Sequence, residues 1–182
     1  PPLAFGNVGS DERTVLEKRY WKDIVEKVYE EIGMFEGFDA HFEELFEVFR
    51  TEAWVLFPES AHVLSSLKEK GYRLGIISNF DSRVYDVMSS LGIYEYFDVL
   101  VISSEAGYAK PDLEIYRYAL EKAAADPSRC IHVGDHPEND FHGPRALGIK
   151  TLLLDREGEH RSLNGTHRID NLNQLEKILE DF

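Results

Sequence analysis

The spacing of apolar side chains changes near Pro58, and this change divides the chain into two regions. Before Pro58, apolar residues recur every three or four positions, which is typical of amphipathic helices. After it, short apolar runs of strand length alternate with helical patterns and are bounded by glycine, proline or polar residues. The pattern therefore predicts a helical unit over residues 1–57 and an α/β unit over residues 58–182.

Two helices are predicted in the first region. The first has a broad apolar stripe that ends at Gly33, a typical helix stop. Its members are Leu16, Tyr20, Ile24, Val28 and Ile32, with Trp21, Val25 and Tyr29 beside them. The second stripe consists of Phe38, Phe42, Leu45, Phe46 and Phe49. We interpret both stripes as core packing, because aromatic residues at helical spacing more often pack a core than bind a ligand.

The second region predicts alternating strands and helices. The predicted strands cover residues 73–78, 98–103, 130–133 and 151–154. The predicted helices cover residues 59–70, 81–91, 111–124, 139–147 and 172–179, with Asp81 and Pro111 as candidate helix starts. Such alternation indicates a parallel sheet that is covered by helices on both faces. Ligands in sheets of this kind bind at the carboxyl ends of the strands.

The composition indicates a globular protein with an acidic surface. Hydrophobic residues make up 43% of the 182 residues, which is enough for the packed core of one compact domain with a small insert. The 34 acidic and 20 basic residues give a formal net charge of -14. A surface of this charge repels nucleic acid and anionic membranes, so we expect neither as a partner.

The compartment is also suggested by the sequence. Cys130 is the single cysteine, so an internal disulfide is excluded. No apolar run reaches the length of about eighteen residues that a membrane-spanning helix needs. Residues 1–10 lack the basic and apolar pattern of a signal peptide. We therefore expect a cytoplasmic protein.

Three short polar segments stand at or beyond the ends of successive predicted strands. They are Ser78–Asn79, Lys110–Pro111 and Gly134–Asp140. Each segment alone is compatible with an ordinary turn or a helix start. Because the carboxyl ends of parallel strands meet at one edge of a sheet, the three segments are expected to lie close together.

Together these segments supply what phosphoryl transfer needs. The hydroxyl of Ser78 and nearby backbone amides can bind non-bridging phosphate oxygens. Lys110 can neutralise charge on the phosphoryl group and on an attacking carboxylate. Asp135 can hold a hard divalent cation such as Mg²⁺.

The three segments resemble the second, third and fourth motifs of the haloacid dehalogenase superfamily. The second motif is a Ser or Thr at a strand end, the third is a Lys that often precedes Pro, and the fourth is an acidic pair after a strand. The resemblance covers roughly residues 12–182 and is strongest over residues 58–154. It implies a Rossmann-like parallel sheet, with residues 1–57 as part of a small helical cap that closes over the substrate.

The resemblance also implies a role for each matched residue. Ser78 and Lys110 would be catalytic and would bind the phosphoryl group of the substrate, and Asn79 would help to shape the substrate site. Asp135 would be a ligand of the Mg²⁺ cofactor. Asp140 would be either a second metal ligand or the residue that holds Lys110 through a charge-assisted pair.

The first motif of the superfamily has no match before the helical region. In the family it is a strand-end Asp that attacks phosphorus, with a second Asp two residues later as general acid and base. Asp155, followed by Glu157 and Gly158, imitates this motif, but it lies after the fourth motif and lacks the Thr that usually follows. The resemblance implies that the missing strand lies at the centre of the sheet, between the strands that end at Ser78 and Asp135.

Three explanations are compatible with the missing motif. The first is a truncated or cleaved product whose N-terminal fragment stays bound, the second is a sequence that lacks its first segment, and the third is a divergent non-catalytic relative. We favour the first two together, because two open edges of a buried sheet would leave costly unpaired backbone groups. The cleaved N-terminal fragment is then an expected partner.

Three functions follow from the resemblance. The favoured one is a Mg²⁺-dependent phosphatase that acts on a small phosphorylated metabolite through an aspartyl-phosphate. A 2-haloacid dehalogenase is less favoured, because dehalogenases of this family usually carry Ser in place of the acid at Asp135. A non-catalytic binding or regulatory protein is the alternative that the missing nucleophile leaves open.

Overall fold

The computed structural model describes residues 2–161, 163 and 167–180. Two long helices come first, and strands and helices then alternate. The helices are α1 (Ser10–Ile32), α2 (Phe38–Thr51), α3 (Ser60–Glu69), α4 (Val84–Ser90), α5 (Ser103–Ala106), α6 (Leu113–Ala123), α7 (Gly143–Arg145) and α8 (Gln174–Glu180). The strands are β1 (Gly75–Ser78), β2 (Val99–Ile102), β3 (Ile131–Gly134), β4 (Lys150–Leu154) and β5 (Arg168–Ile169). Among these residues, no helix is both long enough and apolar enough to cross a membrane.

The described strands are parallel, but they form two separate pieces of sheet. β1 pairs with β2, with Ser78 opposite Ile102. β3 pairs with β4, which also pairs with β5. No described strand joins the two pieces. The prediction of an α/β protein with a parallel sheet is confirmed.

Helices cover both faces of the two pieces. On one face, Ile115, Tyr116 and Ala119 of α6 pack with Val101 of β2 and with Ile149, which precedes β4. On the other face, Val63 and Leu67 of α3 pack with Leu152 of β4 and Leu175 of α8. The first cluster also contains Cys130 and Ile149, which directly precede β3 and β4, and the second contains Leu74, which directly precedes β1, so the helices hold the two pieces side by side.

Strand β3 shows how the side chains divide between the two faces. Ile131 and Val133 pack against the cluster of α3 and α8, whereas Cys130 packs against the cluster of α6. The His132 ring also lies on the α6 side, with its centroid 5.9 Å from that of Tyr116. This is the alternation expected of an extended strand.

Helices α1 and α2 form an antiparallel hairpin. Lys18 pairs with Glu43 and Lys22 pairs with Asp39, so the two helices run in opposite directions. The apolar core of the hairpin consists of Phe38, Phe42 and Phe46, packed against Trp21, Val25 and Tyr29. The interpretation of the two stripes as core packing holds for these residues.

Part of the predicted stripe on α1 is wrong. Ile24, Val28 and Ile32 are exposed, whereas the acidic residue Glu17 is buried at 2% exposure. The reason is that α2 covers only the side of α1 that carries Trp21 and its neighbours one and two turns away. Periodicity identified a broad apolar arc, but it did not show which side of that arc a partner helix would cover.

The four predicted strands are present, with ends that differ by at most two residues from the predicted ones. The segment predicted as a helix over residues 139–147 is helical over residues 137–145, but as a π-helical turn (Pro137–His142) followed by the single turn of α7. The Asp140 side chain accepts a hydrogen bond from the backbone N–H of His136, which ties this turn to the end of β3. Helix α5 and strand β5 were not predicted, because they are too short to show a period.

Candidate active site

Asn79, directly after β1, fixes the backbone of the segment that carries the candidate lysine. Its side-chain Nδ2 donates to the carbonyl oxygen of Lys110 at 2.8 Å, and its Oδ1 accepts from the backbone N–H of Lys110 at 2.7 Å. The Ser78 hydroxyl makes no hydrogen bond to another described residue. The end of β1 therefore presents a free hydroxyl beside a clamped lysine.

The side chain of Lys110 reaches from this clamp to the acidic segment after β3. Its Nζ lies 2.7 Å from Oδ1 of Asp140, and only 12% of the lysine side chain is exposed. Because one end of Lys110 is held by Asn79 and the other by Asp140, the lysine bridges the two pieces of sheet. A charge-assisted pair of this kind fixes both position and orientation of the ammonium group.

Asp140 is 3% exposed and lies at the centre of a hydrogen-bond network. Its Oδ1 also lies 3.0 Å from Nε2 of His132, and its Oδ2 accepts from the backbone N–H of His136 at 3.1 Å. Burial alone would raise the pKa of the Asp140 carboxyl. The hydrogen bond from His132 and the Lys110 ammonium outweigh burial and hold this pKa well below its usual range.

Gly134 makes room for this arrangement. A Cβ placed on Gly134 would lie 2.3 Å from Cγ of Asp140, far inside van der Waals contact. The carboxylate can therefore approach β3 only because residue 134 has no side chain. This explains in physical terms why a glycine precedes Asp135 at the end of the strand.

Tyr116 of α6 packs against the hydrogen-bond network around Asp140. Its hydroxyl donates to the carbonyl oxygen of Asn139, and its ring packs edge-on against His132. A Cβ on Gly143 would lie 2.8 Å from the Tyr116 hydroxyl oxygen, so Tyr116 can occupy this position only because residue 143 has no side chain. Burial raises the pKa of Tyr116, and the nearby Asp140 raises it further, so the phenol is neutral.

Asp135 is the free carboxylate of the site. It is exposed at the end of β3 and has no hydrogen-bond or ion-pair partner among the described residues. Carboxylate oxygens are the ligands that Mg²⁺ prefers, and this ion is often held by one or two carboxylates plus water and phosphate oxygens. Asp135 fits such a role. No group of three or more potential ligand side chains that could hold a metal occurs within the described residues.

Asp155 has a different environment. It follows β4, which is paired on both sides by β3 and β5, so it does not stand at an open sheet edge. Its carboxylate oxygens lie 3.3 and 3.2 Å from the backbone N–H of His160, and the residue is 8% exposed. Asp155 therefore closes the loop after β4, which agrees with the interpretation that it is not the nucleophile.

The structure brings the predicted residues together. Asn79 contacts Lys110, and Lys110 contacts Asp140. Ser78 directly precedes Asn79, and Asp135 directly precedes His136, whose backbone N–H donates to Asp140. Of the two roles suggested for Asp140, the geometry displays the pair with Lys110, and metal ligation by Asp140 stays a prediction. The catalytic and substrate-binding roles of Ser78, Asn79 and Lys110 also stay predictions.

Sequence reasoning did not identify two residues of the site. His132 was not among the predicted site residues, yet its ring Nε2 lies 3.0 Å from Oδ1 of Asp140. The period of two along a strand contained a signal, since His132 and Gly134 must share one face of β3. Tyr116 was hidden in the apolar stripe of α6, and no local signal distinguishes it from a core tyrosine.

Comparison with known proteins identifies relatives of the chain. A family model described as a haloacid dehalogenase-like hydrolase matches residues 5–148. The haloacid dehalogenase-like hydrolase domain-containing protein 3 of Mus musculus is 31% identical over 153 residues, which are 82% of this chain and 61% of that protein. A glyceraldehyde 3-phosphate phosphatase of Methanothermobacter thermautotrophicus is 35% identical over 131 residues, which are 68% of this chain and 58% of that protein. The chain thus spans about three fifths of the length of these relatives.

Solved structures are similar to the fold as well. A HAD phosphatase of Thermococcus onnurineus matches with a TM-score of 0.69 and 28% identity, over 76% of this chain and 64% of that one. A 2-haloacid dehalogenase of Pseudomonas syringae has the same TM-score and identity, over 92% of this chain and 71% of that one. The fold alone therefore does not separate a phosphatase from a dehalogenase.

Proposed function

Because the chain belongs to the haloacid dehalogenase-like hydrolases, we propose that it is the larger part of a Mg²⁺-dependent phosphatase that acts on small phosphomonoesters. The observation that carries this proposal is the bridge from Asn79 through Lys110 to Asp140, with the free carboxylate of Asp135 beside it. A held ammonium and a free carboxylate are the groups that a phosphoryl group and a divalent cation need. The similarity to a glyceraldehyde 3-phosphate phosphatase supports a small phosphorylated substrate.

The nucleophilic aspartate would arrive on a further strand between β1 and β3. Among the described strands, β1 pairs only with β2, and β3 pairs only with β4 and with no strand on its other side. Every residue of β3, and every residue of β1 except the exposed Gly75, is partly buried, although central strands of a covered parallel sheet are normally buried. A parallel strand in this gap would end beside Ser78, Lys110 and Asp135. Its source would be an N-terminal segment of the same protein, either covalently attached or bound as a fragment.

Each residue would then have a defined part in the reaction. The carboxylate oxygen of the nucleophile would form a bond to phosphorus while the bond from phosphorus to the ester oxygen breaks, and a general acid would protonate the departing alcohol. Lys110 and the Ser78 hydroxyl would hold the phosphoryl oxygens. Asp135 would hold Mg²⁺, which neutralises charge on those oxygens when it is bound. Water would then hydrolyse the aspartyl-phosphate and release inorganic phosphate.

The α1–α2 hairpin would act as part of a cap over this site. Its position next to the turn after β1 supports this assignment, since Trp21 of α1 donates a hydrogen bond to Asp81 in that turn. Trp54, in the segment that returns from the hairpin, packs against Phe80 and Phe49 rather than standing free. A cap in this place would exclude water from the phosphoryl group and contact the leaving alcohol.

A reconstitution assay tests the proposal. The chain would be coexpressed with a peptide that consists of an apolar strand followed by the Asp-x-Asp-Gly-Thr pattern of the family's first motif. Hydrolysis of p-nitrophenyl phosphate and of a panel of sugar and triose phosphates would be measured with Mg²⁺ and with EDTA. We expect turnover only with both the peptide and Mg²⁺.

Single substitutions test the proposed roles of Lys110 and Asp135 in the same assay. Lys110→Met and Asp135→Asn should each lower kcat by about two orders of magnitude or more, because each removes a charge that stabilises the transition state. Lys122→Met is the matched control, since Lys122 lies in the last turn of α6, away from Asp140, and hydrogen-bonds the carbonyl of Leu100. Equal rates for Lys110→Met, Lys122→Met and the unchanged chain, or activity that persists in EDTA, would refute the proposal.

A dehalogenase is the second candidate, favoured by the similarity to the 2-haloacid dehalogenase structure. The free carboxylate of Asp135 argues against it, because attack on carbon with loss of halide needs no metal ligand at this place. The same reconstituted sample should therefore release no chloride from 2-chloropropionate. Chloride release without Mg²⁺ would reverse the ranking of the two functions.

A further inference from the structure

The α1–α2 hairpin has an apolar core of its own. This core consists of Phe38, Phe42, Phe46, Trp21, Val25 and Tyr29, all of which belong to the hairpin. The two clusters that cover the sheet contain no residue of the hairpin. Apolar packing therefore does not extend from the sheet into the hairpin in these clusters, and the position of the hairpin depends on other contacts.

A buried ion pair lies where the hairpin meets the α/β part. Asp81 and Arg83 belong to the turn after β1 and are 0% and 6% exposed. Nη2 of Arg83 lies 2.7 Å from Oδ2 of Asp81, and its Nε lies 3.0 Å from Oδ1. The fork of the guanidinium thus grips both carboxylate oxygens, which fixes the orientation of both side chains.

This pair reaches both helices of the hairpin. The indole N–H of Trp21 on α1 donates to Oδ2 of Asp81. Nη1 of Arg83 donates to the carbonyl oxygen of Phe46 on α2 at 3.1 Å, and the guanidinium carbon lies 3.8 Å from the centre of the Phe46 ring. One ion pair therefore contacts the indole N–H of Trp21 on α1 and both the backbone and the ring of Phe46 on α2.

A second buried acid strengthens the same contact. Glu17 of α1 accepts from the backbone N–H of Ser82 at 3.1 Å and from the Ser82 hydroxyl. A carboxylate is costly to bury unless it is hydrogen-bonded, and these donors come from the turn after β1. The sequence position of Glu17, within an otherwise apolar arc, is thus explained by the turn and not by α2.

The other end of this turn holds the candidate lysine. Asn79 clamps the backbone of Lys110, and only Phe80 separates Asn79 from Asp81. Residues 79–83 therefore contact the Lys110 segment at one end and the hairpin at the other. We propose that the Asp81–Arg83 pair is a positioning element that locks the hairpin onto this turn, so that the hairpin and the Lys110 segment keep one relative orientation.

The direction of the expected effect follows from the charges. Removing one partner leaves the other charge buried and unpaired while the hairpin is docked. Undocking relieves this cost, because water then reaches the remaining charge. A one-partner variant should therefore undock both helices together, and because helices that lose their tertiary packing fray, the amides of α1 and α2 should then exchange faster. This inference goes beyond the proposed phosphatase function and does not require turnover.

Hydrogen–deuterium exchange of the 182-residue chain tests the proposal. In Asp81→Asn and Arg83→Met, we expect amides of α1 and α2 to exchange about tenfold faster or more, while amides of α6 keep their rates. Arg50→Met is the matched control, because the more exposed Arg50–Asp86 pair also joins the hairpin to α4. We expect its exchange in α1 and α2 to match that of the unchanged chain.

Three results would overturn the proposal. They are unchanged exchange in α1 and α2, an equal rise in α1, α2 and α6, and an effect of Arg50→Met as large as that of Arg83→Met. If Arg83→Met does not fold, Ser82→Ala and Arg83→Lys decide the question. Both variants should raise exchange in α1 and α2 by a smaller factor. If neither variant raises exchange there, the proposed role of the Asp81–Arg83 pair is contradicted.

Discussion

At the scale of single residues, the candidate site depends on side chains that restrain one another. Lys110 is held at its backbone by Asn79 and at its ammonium by Asp140, and Asp140 is itself held by His132. Rigid support of this kind places a charge without a reorganisation cost during a reaction. It also makes the site sensitive to changes that add or remove a single group.

Gly134→Ala adds one methyl group to the site. Its Cβ would fall 2.3 Å from Cγ of the buried Asp140, so we expect a loss of about 1–3 kcal/mol in the free energy of unfolding, as for an overpacked core. Gly75→Ala is the matched control on β1, because its Cβ would meet atoms no closer than 3.4 Å. Urea unfolding of both variants measures the difference. Equal stabilities would show that Asp140 can move aside.

Asp140→Asn removes one negative charge from the site and keeps the size of the side chain. We expect a loss of about 3–5 kcal/mol at neutral pH, because Lys110 is left buried without its partner. The folded-state pKa of Asp140 is depressed below its unfolded value of about 3.9. The stabilisation is therefore fully present above about pH 5 and is lost as the pH falls through the folded-state pKa.

Urea unfolding at several pH values checks this linkage. The difference in stability between the unchanged chain and Asp140→Asn should be constant from pH 7 to about pH 5 and shrink below that. A difference that grew on acidification would mean that the sign of the pKa shift is wrong. Asp126→Asn is the comparison, because the hydrogen bonds from Ser128 also lower the pKa of Asp126, but this residue is exposed and its pH-dependent difference should be smaller.

At the scale of elements, α1 shows what an apolar period can and cannot predict. Its periodicity predicted a helix, and the structure has one from Ser10 to Ile32. The buried side was decided by where α2 lies and by the turn after β1, which accommodates the carboxylate of Glu17. Neither influence is local in sequence.

A matched pair of substitutions tests this distinction on α1. Val25→Ala removes methyl groups from the hairpin core, whereas Val28→Ala removes them from an exposed position on the same helix. Both changes alter helix propensity equally, so their difference isolates packing. We expect Val25→Ala to cost about 1 kcal/mol more in thermal or urea unfolding. Equal effects would show that Val28 is covered as well.

At the scale of the whole molecule, the described strands leave a parallel sheet in two pieces. The edges of β1 and β3 that face away from β2 and β4 have no strand partner among the described residues. Exposed strand edges template pairing with other chains. The net charge of -14 opposes such association, but salt screens charge repulsion.

We therefore expect the 182-residue chain alone to self-associate in a manner that increases with protein concentration and with salt. Sedimentation velocity measures this directly. The chain with a bound first-strand peptide is the control and should stay monomeric under the same conditions, because the peptide occupies both edges. A chain that is monomeric and folded at high salt without a peptide would show that the two edges are protected in another way.

The sequence by itself determined the α/β class, the order of the elements, the four main strands to within two residues and the polar segments that bring Asn79, Lys110 and Asp140 together. These features are local, since they depend on the spacing of apolar residues and on short polar segments at strand ends. The tertiary structure decided which side of α1 is buried, that Asp140 pairs with both Lys110 and His132, and that Tyr116 supports them. It also decided that Asp81 accepts hydrogen bonds from Trp21 of α1 and from Arg83. Apart from the pairs Asp81–Arg83 and His132–Asp140, which are closer in sequence, these contacts join residues far apart in the chain, and their meeting is set by packing and by the need to satisfy buried charges.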